Sequence, residues 1–560
     1  MSERQVIALG GRWRFTPDPH RDGESLGFWR ADQAFPRWRE VSVPSCFEAG
    51  CPDIDFYEGV CWYRRSFAAP PAWHGRRIAL RFEAVNYRAR VWLNGHLLGE
   101  NRDGFLPFEF EVAGKLLRNG DNILAVSVDN AHHEGDVPGM HVGWRGYGGI
   151  IREVSLVASS LVHLDGLRIS AEPSGRGGDV AVHARVRNMS PLAADGVVEV
   201  AIQDQGGKAC LSLASPRLHV EPDAVAEISV KGHLAGAHAW SPSAPVLYRA
   251  CARLSLDSHV EDETVALFGF RKIEATPDGL RLNGERIFLT GFNRHEDSPR
   301  TAMAADLDTT RRDLEQMKEA GANFVRLCHY PHHPAELDLC DQLGLLAFCE
   351  IPLYFWNDAK EGLATNAERV RTAARQLERM IARDFNHPSV AFWSVSNETH
   401  ESELAVRESN RELIRRARAL DPARLCVHVS NHWMDHPNFD EDSVICINTY
   451  PTMDFEGRGH HPAEFDVDGA VSRRAALIAD LHRRHPSKPI LIAEFGYGSF
   501  AGTYGHAFGE DEHARSLKSE FASFDEPFIC GAAIWCWADH PWPGGRFFNG
   551  LTISPFGVVS

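Results

Sequence analysis

Two glutamates stand where a chain can deliver carboxylates to a common point. Glu398 closes the stretch Ser394-Val395-Ser396-Asn397, which follows the apolar run Val390-Ala391-Phe392-Trp393. Glu494 ends Ile490-Leu491-Ile492-Ala493 and precedes Phe495-Gly496. Continuous apolar runs of this kind read as buried parallel strands, and a polar residue at the C-terminal end of such a strand faces the open mouth of a barrel. Two carboxylates reaching one mouth from different strands suit cleavage of a glycosidic bond. One donates a proton to the leaving oxygen, and the other meets the positive charge that develops on the sugar.

Other strand ends carry polar groups in the same way. Asn293, Arg294, His295, Glu296 and Asp297 follow one apolar run; Arg326, His329 and Tyr330 follow the next; Glu350 ends a third. Asn397, Glu398 and His400 end a fourth, Asn448 and Tyr450 another, and Trp535 belongs to the last. A single polar residue in such a place is as often a structural hydrogen bonder as a functional group. Seven strands aiming polar groups the same way is hard to assign to stability, because burying them is costly.

The elements that must position these residues are legible from about residue 273 onward. Apolar runs near 288–292, 324–327, 345–350, 389–396, 426–429, 443–449, 489–493 and 530–537 give eight strand candidates. Helical patterns at 306–320, 335–343, 366–384 and 402–419 separate several of them, and Gly321 marks one helix end. This alternation predicts a (β/α)8 TIM barrel over 273–560. A doubly wound open sheet is the alternative, and no glycine-rich phosphate turn supports it. Upstream the rhythm is all-β. Short alternating segments such as Arg77–Glu83, Ala89–Leu93 and Asn122–Val128, with turns at Asn94-Gly95 and Asn119-Gly120, predict a β-sandwich over 1–160, of the jelly-roll, sugar-binding kind that the resemblance given below implies. Residues 161–272 predict an immunoglobulin-like sandwich. No closing helix is read after the eighth strand candidate. Either another chain covers that seam or the natural product is longer.

With 560 residues the chain is too long for one core, and about three or four units are expected. A net charge of −17 argues against nucleic acid or an anionic membrane as partner. No secretory leader or membrane-spanning apolar run is read, and the twelve scattered cysteines lack any CxxC pair. The expectation is a cytoplasmic protein with reduced core thiols, working as a homo-oligomer on a small-molecule or oligosaccharide β-glycoside.

These motifs also carry a resemblance. Gly291-Phe-Asn-Arg-His-Glu-Asp297, Val325-Arg-Leu-Cys-His-Tyr-Pro331, Ser396-Asn-Glu398 and Ala493-Glu-Phe-Gly496 resemble, in order, the barrel motifs of glycoside hydrolase family 2, the retaining exo-β-glycosidases that include β-galactosidases and β-glucuronidases. Trp62-Tyr-Arg-Arg65, Val91-Trp-Leu-Asn-Gly95 and Tyr147-Gly-Gly-Ile-Ile-Arg152 match its N-terminal part. The resemblance implies Glu398 as acid/base, Glu494 as nucleophile, and Tyr450 and Arg326 as the groups that hold the nucleophile. It implies Asn397 on the sugar 2-hydroxyl, His295 and His329 on other hydroxyls, Trp535 as a floor under the ring, and Glu350 and Asn448 in the same substrate-binding set. It implies no cofactor.

Departures bear on the sugar. The β-glucuronidases' Asn-x-Lys pair for the sugar carboxylate corresponds to Phe547-Phe548-Asn549-Gly550, without a lysine. Arg145, on a loop that reaches the active site in the family, is the candidate substitute, weighed against a solvated loop charge. His329-Tyr-Pro-His-His-Pro334 is closer to the β-galactosidase form, while Pro352 replaces a histidine expected among the magnesium ligands of the large β-galactosidases, so no required metal is expected. The segment Tyr354-Phe355-Trp356 either stacks an aglycone or fills core. Two rival classes remain. One is a metal hydrolase using His329, His332 and His333, which lacks an HExxH-type spacing. The other is a non-catalytic carbohydrate-binding protein, against which the presence of both glutamates argues.

Overall fold

The computed structural model describes residues 4–30, 38–118, 120–257, 259–304, 306–356, 363–435, 438–453, 466–505, 508–542 and 553–559. Within residues 5–159, a six-stranded antiparallel sheet faces a four-stranded one. Alternation along each strand sends Trp13, Phe15, Tyr63 and Val126 from the first sheet into one core with Ile78, Leu80 and Leu156 from the second. The Asn94-Gly95 turn is a two-residue hairpin with both φ angles positive, 51° and 87°, the geometry that favours this dipeptide. Residues 162–268 form a second sandwich. Val182 and Val186 of one sheet meet Val198, Val200 and Leu254 of the other.

Eight parallel strands then close into a barrel: β1 (Leu289–Arg294), β2 (Phe324–Leu327), β3 (Leu346–Glu350), β4 (Val390–Asn397), β5 (Leu425–Ser430), β6 (Ile445–Asn448), β7 (Ile490–Phe495) and β8 (Ile529–Ile534). Helices α1 (Leu307–Glu319), α2 (Pro334–Leu343), α3 (Leu363–Asp384), α4 (Leu404–Leu420), α5 (Val467–Arg484) and α6 (Glu510–Ala522) lie between strands. Asp306 caps α1 by accepting from the Thr309 N–H, and Gly321 just beyond its end has φ 92°, as the sequence led us to expect. Helices α5 and α6 were not singled out from sequence.

Each barrel strand changes character along its inward column. Phe324, Phe348 and Phe392 pack together in the lower interior. Two residues further on, the same faces present Arg326, Glu350 and Ser394. The lower layer is a packed floor and the upper layer is polar. Below it, strands 273–276, 279–282 and 285–287 send Ile273, Leu280 and Leu282 into the lower core. Gly291 allows the barrel to close tightly, because a Cβ there would fall 2.0 Å from the Phe324 carbonyl oxygen.

Strand β8 stops earlier than the apolar run suggests, at Ile534, so Trp535 leaves the sheet and its ring turns over the mouth. The chain returns above it: Ile553–Ser554 pairs with His540–Pro541, and Phe556 O accepts from the Cys536 N–H at 3.0 Å. Phe547–Gly550, the counterpart of the uronate motif, and the Asn119 turn position lie outside the described residues. All twelve cysteines are free; ten are buried, Cys210 is exposed and Cys251 is half-buried. No helix among the described residues is long and apolar enough to cross a membrane.

Candidate active site

Arg326, fully buried at the end of β2, organises the mouth. Its Nη1 donates to Asn293 Oδ1 at 2.9 Å and to Glu494 Oε1 at 2.5 Å. Its Nη2 donates to both oxygens of Glu350 at 3.0 Å and to Asn397 Oδ1 at 2.8 Å. A buried guanidinium needs its charge met, and here two carboxylates from β3 and β7 supply the counter-charge while they and two amides from β1 and β4 take both terminal nitrogens. Asn293 is positioned in turn: its Nδ2 donates to Ala493 O at 2.9 Å and to Ala533 O at 3.3 Å, tying β1 to β7 and β8.

The two glutamates are treated differently. Glu494 is held from both sides, since Oε2 accepts from the Tyr450 hydroxyl at 2.6 Å. Burial and the neighbouring Glu494 charge push the Tyr450 phenol well above its ordinary value, so it remains a donor. Among the described residues, Glu398 accepts one bond, from Asn448 Nδ2 to Oε1 at 2.7 Å. Burial first, and then the charge of Glu494, push its carboxyl up to about 8, against the opposing effects of Asn448 and Arg326. Glu398 therefore carries its proton at neutral pH, the state a general acid requires.

Glu398, Glu494, Asn448, Tyr450, Tyr354 and Trp535 line one cavity of about 320 Å³ at the barrel mouth. Five of these six were expected in the site from sequence. Arg326, expected to hold the nucleophile, bonds Glu494 from one layer deeper at 0% exposure, and Asn397, expected on the sugar, lies beside it at 1% exposure. Glu350 was expected in the substrate-binding set. Its oxygens are taken by Arg326, by His329 Nδ1 at 2.7 Å and by Ser394 Oγ at 2.7 Å. Burial alone would raise its carboxyl, but Arg326, His329 and Ser394 outweigh that and hold it at about 2.

His295 and His329 were expected on sugar hydroxyls, yet neither lines the cavity. They back the Trp535 indole instead, His329 stacked at 5.2 Å and His295 edge-on at 5.5 Å. Burial keeps both below their ordinary values and hence neutral at pH 7. Arg145 was expected as the substitute cation for a sugar carboxylate. Its guanidinium pairs with Asp55 and lies 3.6 Å from Glu48, with its face over the Phe56 ring. The loop from the first sandwich packs Trp144 behind the cavity wall, its ring centroid 5.7 Å from that of His329 and 5.3 Å from that of Tyr354. That loop belongs to a docked domain, for Arg152 donates to Glu296 Oε2 at 2.8 Å and to Pro331 O at 2.9 Å.

The histidines of the metal-hydrolase rival go elsewhere. His332 bonds Glu336 Oε2 and Cys328 O, and His333 caps α2 by accepting from Ala335 N–H. Ligand atoms of His295, Cys328 and His329 lie within 4.8 Å of one another. The Cys328 thiol, raised by burial, donates to Arg294 O at 3.3 Å. Residues missed by sequence reasoning include Met434, Arg474, Trp542 and Phe556, all on the cavity wall. Arg474 comes from α5 and the other three from loops, so no strand-end signal pointed to them. Arg474 Nη1 donates to Thr449 Oγ1 at 3.2 Å.

A barrel that brings one carboxyl kept protonated and one carboxylate clamped by a cation into a single cavity has the build of a hydrolase of glycosidic bonds. Residues 273–541 match the model of the glycosyl hydrolases family 2 TIM barrel domain, 6–160 that of the family 2 sugar binding domain, and 162–271 the remaining family 2 model. The chain belongs to glycosyl hydrolases family 2, and it is a retaining glycoside hydrolase with a carbohydrate substrate. A beta-glucuronidase of Paenibacillus borealis is 26% identical, with 96% of this chain and 91% of that protein covered. A beta-galactosidase of Thermoanaerobacter pseudethanolicus is 28% identical over 73% of this chain and 54% of its own length. A solved structure described as Bacteroides uniformis beta-glucuronidase 2 covalently bound to cyclophellitol-6-carboxylate aziridine has a TM-score of 0.87 and 25% identity, covering 99% of this chain and 67% of that one.

Proposed function

We propose that Glu494 is the nucleophile and Glu398 the acid/base of a double displacement on a terminal, non-reducing β-galactopyranoside. The observation that carries the assignment of roles is the unequal treatment of the two carboxyls: Glu494 lies between Arg326 and Tyr450, whereas Glu398 is pushed up to about 8. In the first step the Glu494 carboxylate attacks C1 while Glu398 gives its proton to the leaving oxygen. In the second, Glu398 takes a proton from water, which attacks C1 and frees Glu494. Each step inverts C1, so the product keeps the β configuration. Asn397, whose carbonyl oxygen is engaged by Arg326 and Asn448, has its amide hydrogens to offer the sugar 2-hydroxyl. Trp535 supplies a flat face under the ring. Tyr354 and Phe355 form the wall on which an aglycone stacks.

Galactose is supported by the galactosidase-like His329–Pro334 segment. A β-uronide is the second reading, favoured by Arg474 on the cavity wall and by the relative named beta-glucuronidase. Turnover of aryl β-galactoside, β-glucuronide, β-glucoside, β-mannoside and α-arabinoside separates them. The galactoside is expected to have the highest kcat/KM by about tenfold, the scale of one or two well-placed polar contacts; a glucuronide preference transfers the assignment to the uronide. Tyr450→Phe removes one hydrogen bond to the nucleophile and is expected to lower kcat by about tenfold or more, measured on the preferred aryl glycoside. Free thiols support a cytoplasmic location, and a homo-oligomer is the assembly we expect.

A further inference from the structure

Glu398 has φ 49°, in the left-handed region that residues with a Cβ avoid. Such a conformation persists where surrounding contacts over-determine it. Its N–H donates to Val429 O at 2.9 Å, and the preceding Asn397 N–H donates to Leu353 O at 3.0 Å. Asn410 of α4 accepts from Ser396 Oγ and donates to Thr399 Oγ1, both at 3.0 Å, bracketing the glutamate.

Three residues after Glu398 the same turn buries a second carboxylate. Glu401 Oε2 accepts from Ser430 Oγ at 2.9 Å, and Oε1 lies 3.4 Å from His428 Nε2. His428 Nδ1 lies 2.8 Å from Asp442 Oδ1, which also accepts the His428 N–H at 2.7 Å. The imidazole stacks on Phe439 at 5.2 Å, and the His428, Glu401 and Asp442 side chains are at most 1% exposed. Burial alone would strip the proton from His428. Asp442 and Glu401 outweigh burial and hold its ionisation at about 10. A buried imidazolium thus sits between two buried carboxylates, one on the turn after β4 and one on the turn after β5.

Two of the anchors of the Glu398 peptide meet at this ion. Val429, whose carbonyl holds the Glu398 N–H, lies between His428 and Ser430; Glu401 ends the turn that Glu398 begins. We propose that the Glu401–His428–Asp442 cluster is a positioning element for the acid/base, fixing the turn so that the Glu398 carboxyl stays aimed at the leaving oxygen. His428 touches no substrate. The inference rests on the assignment of Glu398 as acid/base.

The test compares aryl β-glycosides of graded leaving-group ability with H428Q, E401Q and, in parallel, E398Q. A loosened proton donor penalises substrates that need protonation, whereas a smaller folded fraction lowers every substrate by one factor. H428Q is expected to lose about tenfold or more in kcat/KM on a poor leaving group and less than about threefold on a dinitrophenyl glycoside, a fraction of what full loss of the acid costs. E401Q keeps the shape of the turn and removes one charge; it is expected to show the same steepening, and it decides the matter if H428Q does not fold. Equal losses across the series, or none, in a folded variant overturn the proposal. If E398Q is steep while the cluster variants are flat, the positioning element fails alone. A flat E398Q series removes the acid/base assignment beneath it.

Discussion

Replacing Glu494 with alanine is expected to lower turnover of aryl β-glycosides by about five orders of magnitude, the scale seen when a covalent nucleophile is removed. Circular dichroism should show sheet and helix content unchanged. The large effect follows from the absence of a substitute. Among the described residues that line the cavity, the other carboxyl is Glu398, which is held by Asn448. Glu350, the nearest further carboxylate, has its oxygens committed to Arg326, His329 and Ser394. The small effect on folding follows from Arg326, which retains Asn293, Glu350 and Asn397 when Glu494 is gone. Its guanidinium is left with a counter-charge, so the cost is about 1–3 kcal/mol rather than that of an orphaned buried ion. Stereochemistry gives the sharper measurement. Azide admitted to the vacated space should attack an activated β-glycoside from the nucleophile's side and give the α-glycosyl azide. A β-azide from this variant, or substantial residual hydrolysis, would move the nucleophile to another residue.

The same details show what could be read from sequence. The barrel strands are buried on both faces, so they stand out as unbroken apolar runs, and the residue ending each run is the one at the mouth. That is why Glu398, Glu494, Asn448 and Tyr450 could be named in advance. The reading identified strand ends but could not rank them by depth. Arg326, Glu350 and Asn397 lie at the same places in their strands as residues that line the cavity, yet they form the layer beneath, because the barrel staggers its strands and Arg326 draws its partners inward. Arg145 failed for a different reason. Its loop packs behind the site, but a one-residue step decides which side chain faces the barrel, and Asp55 with the Phe56 and Tyr147 rings captures the guanidinium while Trp144 packs on Tyr330 and Tyr354. The wall residues Arg474, Trp542 and Phe556 arise from a helix and from the returning chain, where periodicity carries no address. The ion around His428 was equally hidden: Cys426, His428 and Ser430 alternate with the inward Val427 and Val429, and a lone histidine within an apolar strand reads as core until the folded chain brings Glu401 and Asp442 to it.

Glu398→Gln should separate the two halves of the reaction. The amide matches the carboxyl in shape and can keep the Asn448 contact, so the loss reflects chemistry. On glycosides with poor leaving groups, kcat/KM should fall about 10²–10⁴-fold, the usual worth of a positioned acid. A dinitrophenyl glycoside needs no proton and should react with Glu494 nearly as before. Its glycosyl-enzyme then lacks a base to activate water, so a burst of phenol should precede a slow steady state. Azide should relieve that block and give the β-glycosyl azide, opposite to the product expected from the Glu494 variant. The pH profile carries the same prediction with a definite sign. Burial and the charge of Glu494 raise the Glu398 carboxyl to about 8, so the proton is present at neutral pH and is lost as pH rises through that value. Wild-type kcat/KM should therefore decline above about pH 8, and that limb should be missing in the variant on poor leaving groups. Under the proposed roles, the arrangement also accounts for one residue acting as acid and then as base. Once Glu494 is esterified its charge is gone, so one of the two causes that raise the Glu398 carboxyl disappears and its value moves down, which favours its accepting a proton from water. An alkaline limb that persists in E398Q, or equal losses on activated and unactivated substrates, would assign the proton donor elsewhere.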